Sequence, residues 1–178
     1  VKIGEFTNES LGITGVAMDD KYFYLGLSTD EIYVWDGFPE DNSEPVQILK
    51  NIRVHNLHSD GDYLVASNGD SHTVTVYRVA DILTNPTKNV IGGTGINGAG
   101  GVYLGNGQLF VADTGFARVH IWNDVEDAIR GNSADAFLGN QSSTSYPQIG
   151  QNKLFLPKFI TYDGNYLWVG EVKFSNRL

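Results

Sequence analysis

Four short apolar cores recur along the chain, each introduced by the same kind of polar turn, and this internal repeat restricts the fold more than any other feature. The cores are Phe23-Tyr24-Leu25-Gly26, Tyr63-Leu64-Val65-Ala66, Leu109-Phe110-Val111-Ala112 and Leu167-Trp168-Val169-Gly170. The turns before them are Asp19-Asp20-Lys21, Asp60-Gly61-Asp62, Gly105-Asn106-Gly107 and Asp163-Gly164-Asn165. Asp, Asn and Gly supply the local hydrogen bonds and the positive φ that tight hairpins use. An apolar stretch precedes each turn: Gly15 to Met18, Val54 to His58, Gly101 to Leu104, and Phe159 to Tyr162. An alternating third strand follows as Ile32-Tyr33-Val34-Trp35, Val74-Thr75-Val76-Tyr77 and Val119-His120-Ile121-Trp122, closed each time by an aromatic. A fourth recurs as Val46-Gln47-Ile48-Leu49, Lys88-Asn89-Val90-Ile91 and Asp135-Ala136-Phe137-Leu138. The repeating unit is a four-stranded antiparallel meander, and the expected fold is all-β: a partial β-propeller with blades at about residues 12–50, 52–93, 98–139 and, truncated, 155–178.

Taking Leu25, Val65, Val111 and Val169 as equivalent points spaces the blades by about 40, 46 and 58 residues. The extra length falls in the Gln/Ser/Thr/Gly/Asn-rich passage from Gly139 to Lys153 and in the Gly92 to Gly101 run, both expected to be loops. Val79 to Leu83 and Val125 to Ile129 have helical spacing but are too short to stand alone, so each is expected to form one turn between strands three and four.

Composition agrees with many short strands. Of 178 residues 41% are hydrophobic, enough for a real core, with twenty-one Gly, nine Tyr, nine Phe, three Trp and a single Met. A formal charge of -9, with no basic stripe to offset it, makes nucleic acid an unsuitable partner. No apolar run is long enough for a spanning helix, so membrane insertion is not expected. The chain holds no cysteine, which removes disulfides, thiolate metal sites and cysteine nucleophiles. It starts at Val1, as a processed product or a piece of something longer would, and stops at Leu178 where a third strand should begin. An open arc leaves apolar blade faces in water, so the remaining blades are expected from the same parent chain or from a second copy.

From Leu109 onward the run Leu109-Phe110-Val111-Ala112-Asp113-Thr114-Gly115-Phe116-Ala117-Arg118-Val119-His120-Ile121-Trp122 resembles the strand-turn-strand signature of NHL-repeat propellers. Leu167-Trp168-Val169-Gly170-Glu171 with Phe174-Ser175-Asn176-Arg177-Leu178 repeats it, and the linker from Ala134 to Pro157 is similar to NHL spacers. The likeness weakens earlier: blade two has Ser67 and Thr73 where the acid and arginine belong, and blade one has Leu27 and Glu31. The resemblance implies six blades when complete and, as these proteins are often exported or surface-attached, an extracytoplasmic location.

Two charged pairs stand out, Asp113 with Arg118 and Glu171 with Arg177. Because both recur with the repeat, they are expected to be structural, each acid ending strand two and meeting the arginine that opens strand three. The starts of the innermost strands, Gly15, His55, Gly101 and Lys158, with the adjoining Asn56, are the candidates for lining the channel mouth and binding a ligand; small residues there also suit crowding near the axis. Some propeller enzymes, such as peptide-amidating lyases, hold zinc in the channel, but His55 and His58 lie on opposite faces of one regular strand, His120 and His72 lie on the third strand and its preceding turn, nearer the periphery, and no metal site is expected. The carboxylates Asp19, Asp20, Asp60, Asp62 and Asp163 sit in turns and do not assemble a calcium site, and the Gly92 to Gly101 run lacks the Lys-Ser/Thr ending of a phosphate loop.

The expected function is therefore a non-catalytic binding or scaffold module that recognises a protein, peptide or glycan through loops on one face, with no cofactor. The alternative is a metal-dependent lyase or hydrolase with zinc or calcium in the channel and its further ligands in other blades.

Overall fold

The computed structural model describes residues 12–92, 95–142, 148, 150–151 and 153–172. Three four-stranded antiparallel meanders follow one another along the chain, then a two-stranded hairpin. Blade one comprises β1 (Ile13–Met18), β2 (Tyr22–Leu27), β3 (Glu31–Asp36) and β4 (Gln47–Lys50). Blade two holds β5 (Asn56–Ser59), β6 (Tyr63–Asn68), β7 (Thr73–Arg78) and β8 (Asn89–Gly92). Blade three holds β9 (Ala99–Gly105), β10 (Gln108–Asp113), β11 (Arg118–Trp122) and β12 (Ala136–Gly139), and β13 (Pro157–Tyr162) with β14 (Leu167–Glu171) begins blade four. Between strands three and four lie a single 3-10 turn, Val79–Asp81, and the short helix α1, Val125–Ile129, whose first turn is capped by Asp124 accepting from Glu126 N at 2.9 Å.

Two kinds of chemistry close the inner hairpins. In blades one, two and four an aspartate accepts from the backbone two and three residues ahead: Asp19 Oδ1 from Lys21 N and Tyr22 N, Asp60 Oδ1 from Asp62 N and Tyr63 N, Asp163 Oδ1 from Asn165 N and Tyr166 N. Blade three instead uses left-handed backbone at Asn106 (φ 54°) and Gly107 (φ 74°). Positive φ, expected for all four turns, is absent at Asp20 and Lys21, where the Asp19 carboxylate closes the turn.

The first strands lie side by side: β1 packs on β5, β5 on β9, and β9 on β13. Successive sheets thus fan out from their first strands, stacking face to face, which is the arrangement of propeller blades. The core is the set of joints. Tyr24 and Val34 of blade one meet Val54, Leu57, Leu64 and Tyr77 of blade two, and Val65 and Val76 of blade two meet Val102, Leu109, Val111 and Trp122 of blade three. The closing aromatics are buried at the outer ends of these layers, and two find acceptors for their indole N–H, Trp35 Nε1 to Ser43 O (3.0 Å) and Trp122 Nε1 to Asn132 O (2.9 Å).

The registers correct the sequence alignment in blade two. The closing aromatic pairs with Phe23 in blade one (Trp35), Leu64 in blade two (Tyr77) and Leu109 in blade three (Trp122). The point equivalent to Leu25 and Val111 is therefore Ala66, not Val65. A one-residue slip exchanges the faces of a strand, and Val65 does lie on the face toward blade three while Ala66 faces blade one. The same shift places Asn68, paired with Thr73, at the position of Asp113, paired with Arg118.

Candidate functional site at the inner-strand mouth

The small residues of the first strands are set by blade crowding. A Cβ on Gly15 would lie 3.1 Å from Val54 Cγ1 and 3.2 Å from Leu57 Cγ, and one on Gly101 would lie 2.9 Å from Lys158 O and 3.0 Å from Ile160 N. Asn56 is also engaged between blades, its Oδ1 accepting from Val102 N at 3.1 Å. The stitching continues with His58 Nδ1 accepting from Leu104 N (3.1 Å), the Ser67 hydroxyl donating to Gly100 O, and Thr114 Oγ1 donating to Pro157 O (2.7 Å). Lys158 runs along Gly100 and Gly101, so β9 is the strand on which the blade-two and blade-four candidates converge; Gly15 lies apart, at the joint of blades one and two.

His58 gives this stitching a pH dependence. Burial holds its imidazole below the ordinary value of 6.5, against a weaker upward pull from Asp60. Protonation would also remove the lone pair that accepts from Leu104 N. In the unfolded chain the residue takes up its proton near the ordinary value, so its contribution to stability is whole above about pH 6.5 and is lost as pH falls toward the depressed folded value. Thermal melts from pH 7.5 to 5.5 should show a steeper loss for the native protein than for His58→Gln; parallel curves would refute this.

Polar chemistry free of the joints gathers at the mouth beside His55, which immediately precedes β5. His55 Nδ1 accepts from Gly69 N at 2.9 Å, so the neutral ring carries its proton on Nε2, 3.5 Å from Asp70 Oδ2. Arg53 Nε meets the same Asp70 oxygen at 2.9 Å, and Arg53 Nη1 stands 3.7 Å from Asp30 Oδ1. Arg53 and Asp70 are more than half exposed, so this rim is a solvated array of alternating donors and acceptors. Arg53 and Asp70 were not singled out from the sequence: their signal was only a charged residue on each flank of a hairpin.

The pair Asp113 and Arg118 is arranged differently from a simple carboxylate-guanidinium fork. Arg118 Nε is 3.9 Å from Asp113 Oδ2, and the buried His120 comes between them, its Nε2 2.9 Å from that oxygen and 3.1 Å from Arg118 Nε. One nitrogen cannot donate to the acid and accept from the arginine at once, and charge favours donation to the acid. Asp113 also accepts from Asn97 N (3.1 Å) and Phe116 N (3.1 Å). Arg118 donates to Gly95 O at 3.0 Å and lies over the Phe116 and Phe137 rings at 4.9 and 4.4 Å; burial lowers its pKa against the pull of Asp113. His120, expected nearer the periphery, is therefore a core residue, stacked at 11° on Trp122.

Glu171 accepts from Phe155 N at 2.7 Å, as Asp113 does from Asn97 N. In both blades the acid ending strand two latches the backbone that leads into strand one; Ser28 Oγ does so in blade one, accepting from Gly12 N at 2.9 Å. The latch pins the lead-in expected to be a loose glycine loop, with Gly115 N donating to Asn97 O (2.7 Å) and Thr114 N to Gly98 O (3.0 Å). Arg177 lies outside the described residues, as does part of the Gly139 to Lys153 loop. Among the described residues no group of three or more His, Asp or Glu is placed to hold a metal ion, and no helix is long and apolar enough to cross a membrane.

No family model matches the sequence, and no curated protein matches it. Solved structures do. The computationally designed protein Ika4 superposes with a TM-score of 0.60 at 14% identity, over 95% of this chain and 90% of that one. Myxococcus xanthus glutaminyl cyclase matches at 0.58 and 12%, over 91% of this chain and 62% of that one. A chain of the mitotic checkpoint complex matches at 0.63 and 16%, over 92% of this chain and 45% of that one. The chain thus spans nearly all of one neighbour and less than two thirds of the other two. At such identities the likeness concerns architecture alone, and with the fanned meanders it makes this chain an all-β protein of propeller type.

Proposed function

We propose that the chain is a non-catalytic binding or scaffold module of the NHL-repeat kind, recognising a protein, peptide or glycan at the mouth rim formed by Arg53, His55 and Asp70. One observation carries this reading: the first-strand polar side chains Asn56 and His58 are spent on backbone groups of the next blade, while the rim presents a solvated guanidinium and carboxylate. Alternating donors and acceptors on a rigid scaffold suit peptide groups or sugar hydroxyls better than an apolar ligand. The Asp113 and Glu171 latches, which recur where the NHL signature places its acid, support the family assignment. The same resemblance supports an extracytoplasmic location, with no cofactor required.

Probing the purified protein on peptide and glycan arrays should give saturable binders. Arg53→Ala and Asp70→Ala should each weaken the best of them about tenfold, near 1.4 kcal/mol, without changing the melting temperature. Affinity untouched by both substitutions would remove the rim from the proposal. Turnover that depends on added zinc or calcium, with no saturable binding, would favour a lyase or hydrolase instead.

A further inference from the structure

The joints of blades one and two and of blades two and three close their outer ends differently. Val79 and Val125 hold the same place after the third strand, each donating its N–H to the carbonyl that precedes the second strand, Asp62 O at 2.9 Å and Gly107 O at 3.0 Å. Three residues further on, the first joint has Ile82 and the second has Ala128. Ile82 is sealed with Leu49 and Ile52 into continuous apolar packing. At the second joint the smaller alanine stands on the wall of a cavity of about 400 Å³ between the outer strands of blades two and three. A space of that volume has the size of a small-molecule site. Its inner wall is apolar at Ile91, Ile96, Trp122 and Ala128, all buried, and polar at Arg118 and His120. Asn132 and Ser133, both exposed, stand at its edge.

The polar wall carries a donor without an acceptor. The Arg118 side chain is only 8% exposed. Its Nε is turned to His120 Nε2 and its Nη2 donates to Gly95 O, so among the described residues Nη1 has no acceptor. Asp113 Oδ2 stands 3.9 Å away on the Nε side, outside the cavity wall, and that carboxylate is already shared by Asn97 N, Phe116 N and His120. A buried guanidinium with a spare N–H facing an otherwise apolar space is matched by a ligand that is anionic at one end and apolar at the other. Trp122 and the half-buried Phe137 on the same wall suit a flat ring.

We propose that this cavity binds a small aryl carboxylate, its charged end accepting from Arg118 Nη1 and its ring lying against Trp122, Ile91 and Ile96. The site is separate from the rim of Arg53, His55 and Asp70, so it stands or falls independently of the ligand proposed there.

Equilibrium dialysis with naphthalene-2-carboxylate tests it, with the neutral naphthalene-2-carboxamide as the matched control. The carboxylate should bind saturably, and at least about tenfold more tightly than the carboxamide. Arg118→Met, which removes the cation and keeps the apolar stem, should erase that preference. Ala128→Ile, which installs the residue of the first joint, should abolish binding while the β-sheet circular dichroism spectrum is unchanged. Arg53→Ala, at the rim, should leave the affinity as it is. No saturable uptake at millimolar carboxylate, equal affinity for carboxylate and carboxamide, binding that survives Ala128→Ile, or binding lost in Arg53→Ala would each overturn the proposal.

Discussion

Asp113→Ala is expected to lower the unfolding free energy by about 3–5 kcal/mol, the usual result of removing one member of a buried charged cluster. The carboxyl is fully buried and is the acceptor shared by Asn97 N, Phe116 N and the His120 ring. Alanine would strand these donors and leave the Arg118 cation without the charge that offsets its burial. Arg118→Met should cost clearly less, because it removes the buried cation and keeps an apolar stem between Phe116 and Phe137. Urea denaturation followed by tryptophan fluorescence reads both, and Trp122, stacked on His120, reports from within the cluster. A loss below about 1 kcal/mol for Asp113→Ala, within the range of a single ordinary hydrogen bond, would show that the latch is not the stabilising element argued for it.

Gly101→Val should destabilise the protein by about 1–3 kcal/mol, the overpacking cost of forcing methyl groups into a filled joint. The new Cβ would meet Lys158 O and Ile160 N, which are backbone atoms of β13 and cannot rotate aside. Blades three and four would have to separate. Gly95→Ala serves as the control, since a Cβ there meets nothing within 4 Å, and it should stay within about 0.5 kcal/mol of the native protein. Equal denaturation midpoints for Gly101→Val and the native chain would contradict the close approach of the two first strands. Gly101 was a candidate for lining a binding site, so the array measurement completes the test: at a temperature where the variant is folded, its ligand binding should be unchanged.

Both results bear on how far this protein was legible before its structure. The four meanders were readable because a strand pattern of period two needs only local residues: apolar alternation, a turn of Asp, Asn and Gly, and an aromatic closing the third strand. Blade two was aligned one residue off for the same reason. Tyr63-Leu64-Val65-Ala66 is apolar throughout, and a continuous apolar run carries no phase; the phase came from the pairing of Leu64 with Tyr77.

The site shows the same division. That Asp113 and Glu171 serve the fold could be inferred from their recurrence with the repeat. Their partners could not: Asn97 N and Phe155 N are backbone groups, identical in every residue but proline, and nothing in a side-chain pattern marks them. His120 reads as lying nearer the periphery because it is on a third strand, yet its burial depends on what lines the same sheet face, where Trp122 two residues along β11 and Phe137 opposite it on β12 enclose the ring. At the mouth, the engagement of Asn56 with Val102 and of Gly101 with Lys158 spans separate blades and required the stacking itself.

The sequence by itself determined the repeating four-stranded unit, the chemistry of its turns and the all-β class, because these depend on contacts between near neighbours in the chain. Only the tertiary structure decided which side chains stitch the blades and which remain at the rim. Those outcomes depend on how one blade packs upon the next, and packing is set by the shape and register of two surfaces together, a property that neither segment carries alone.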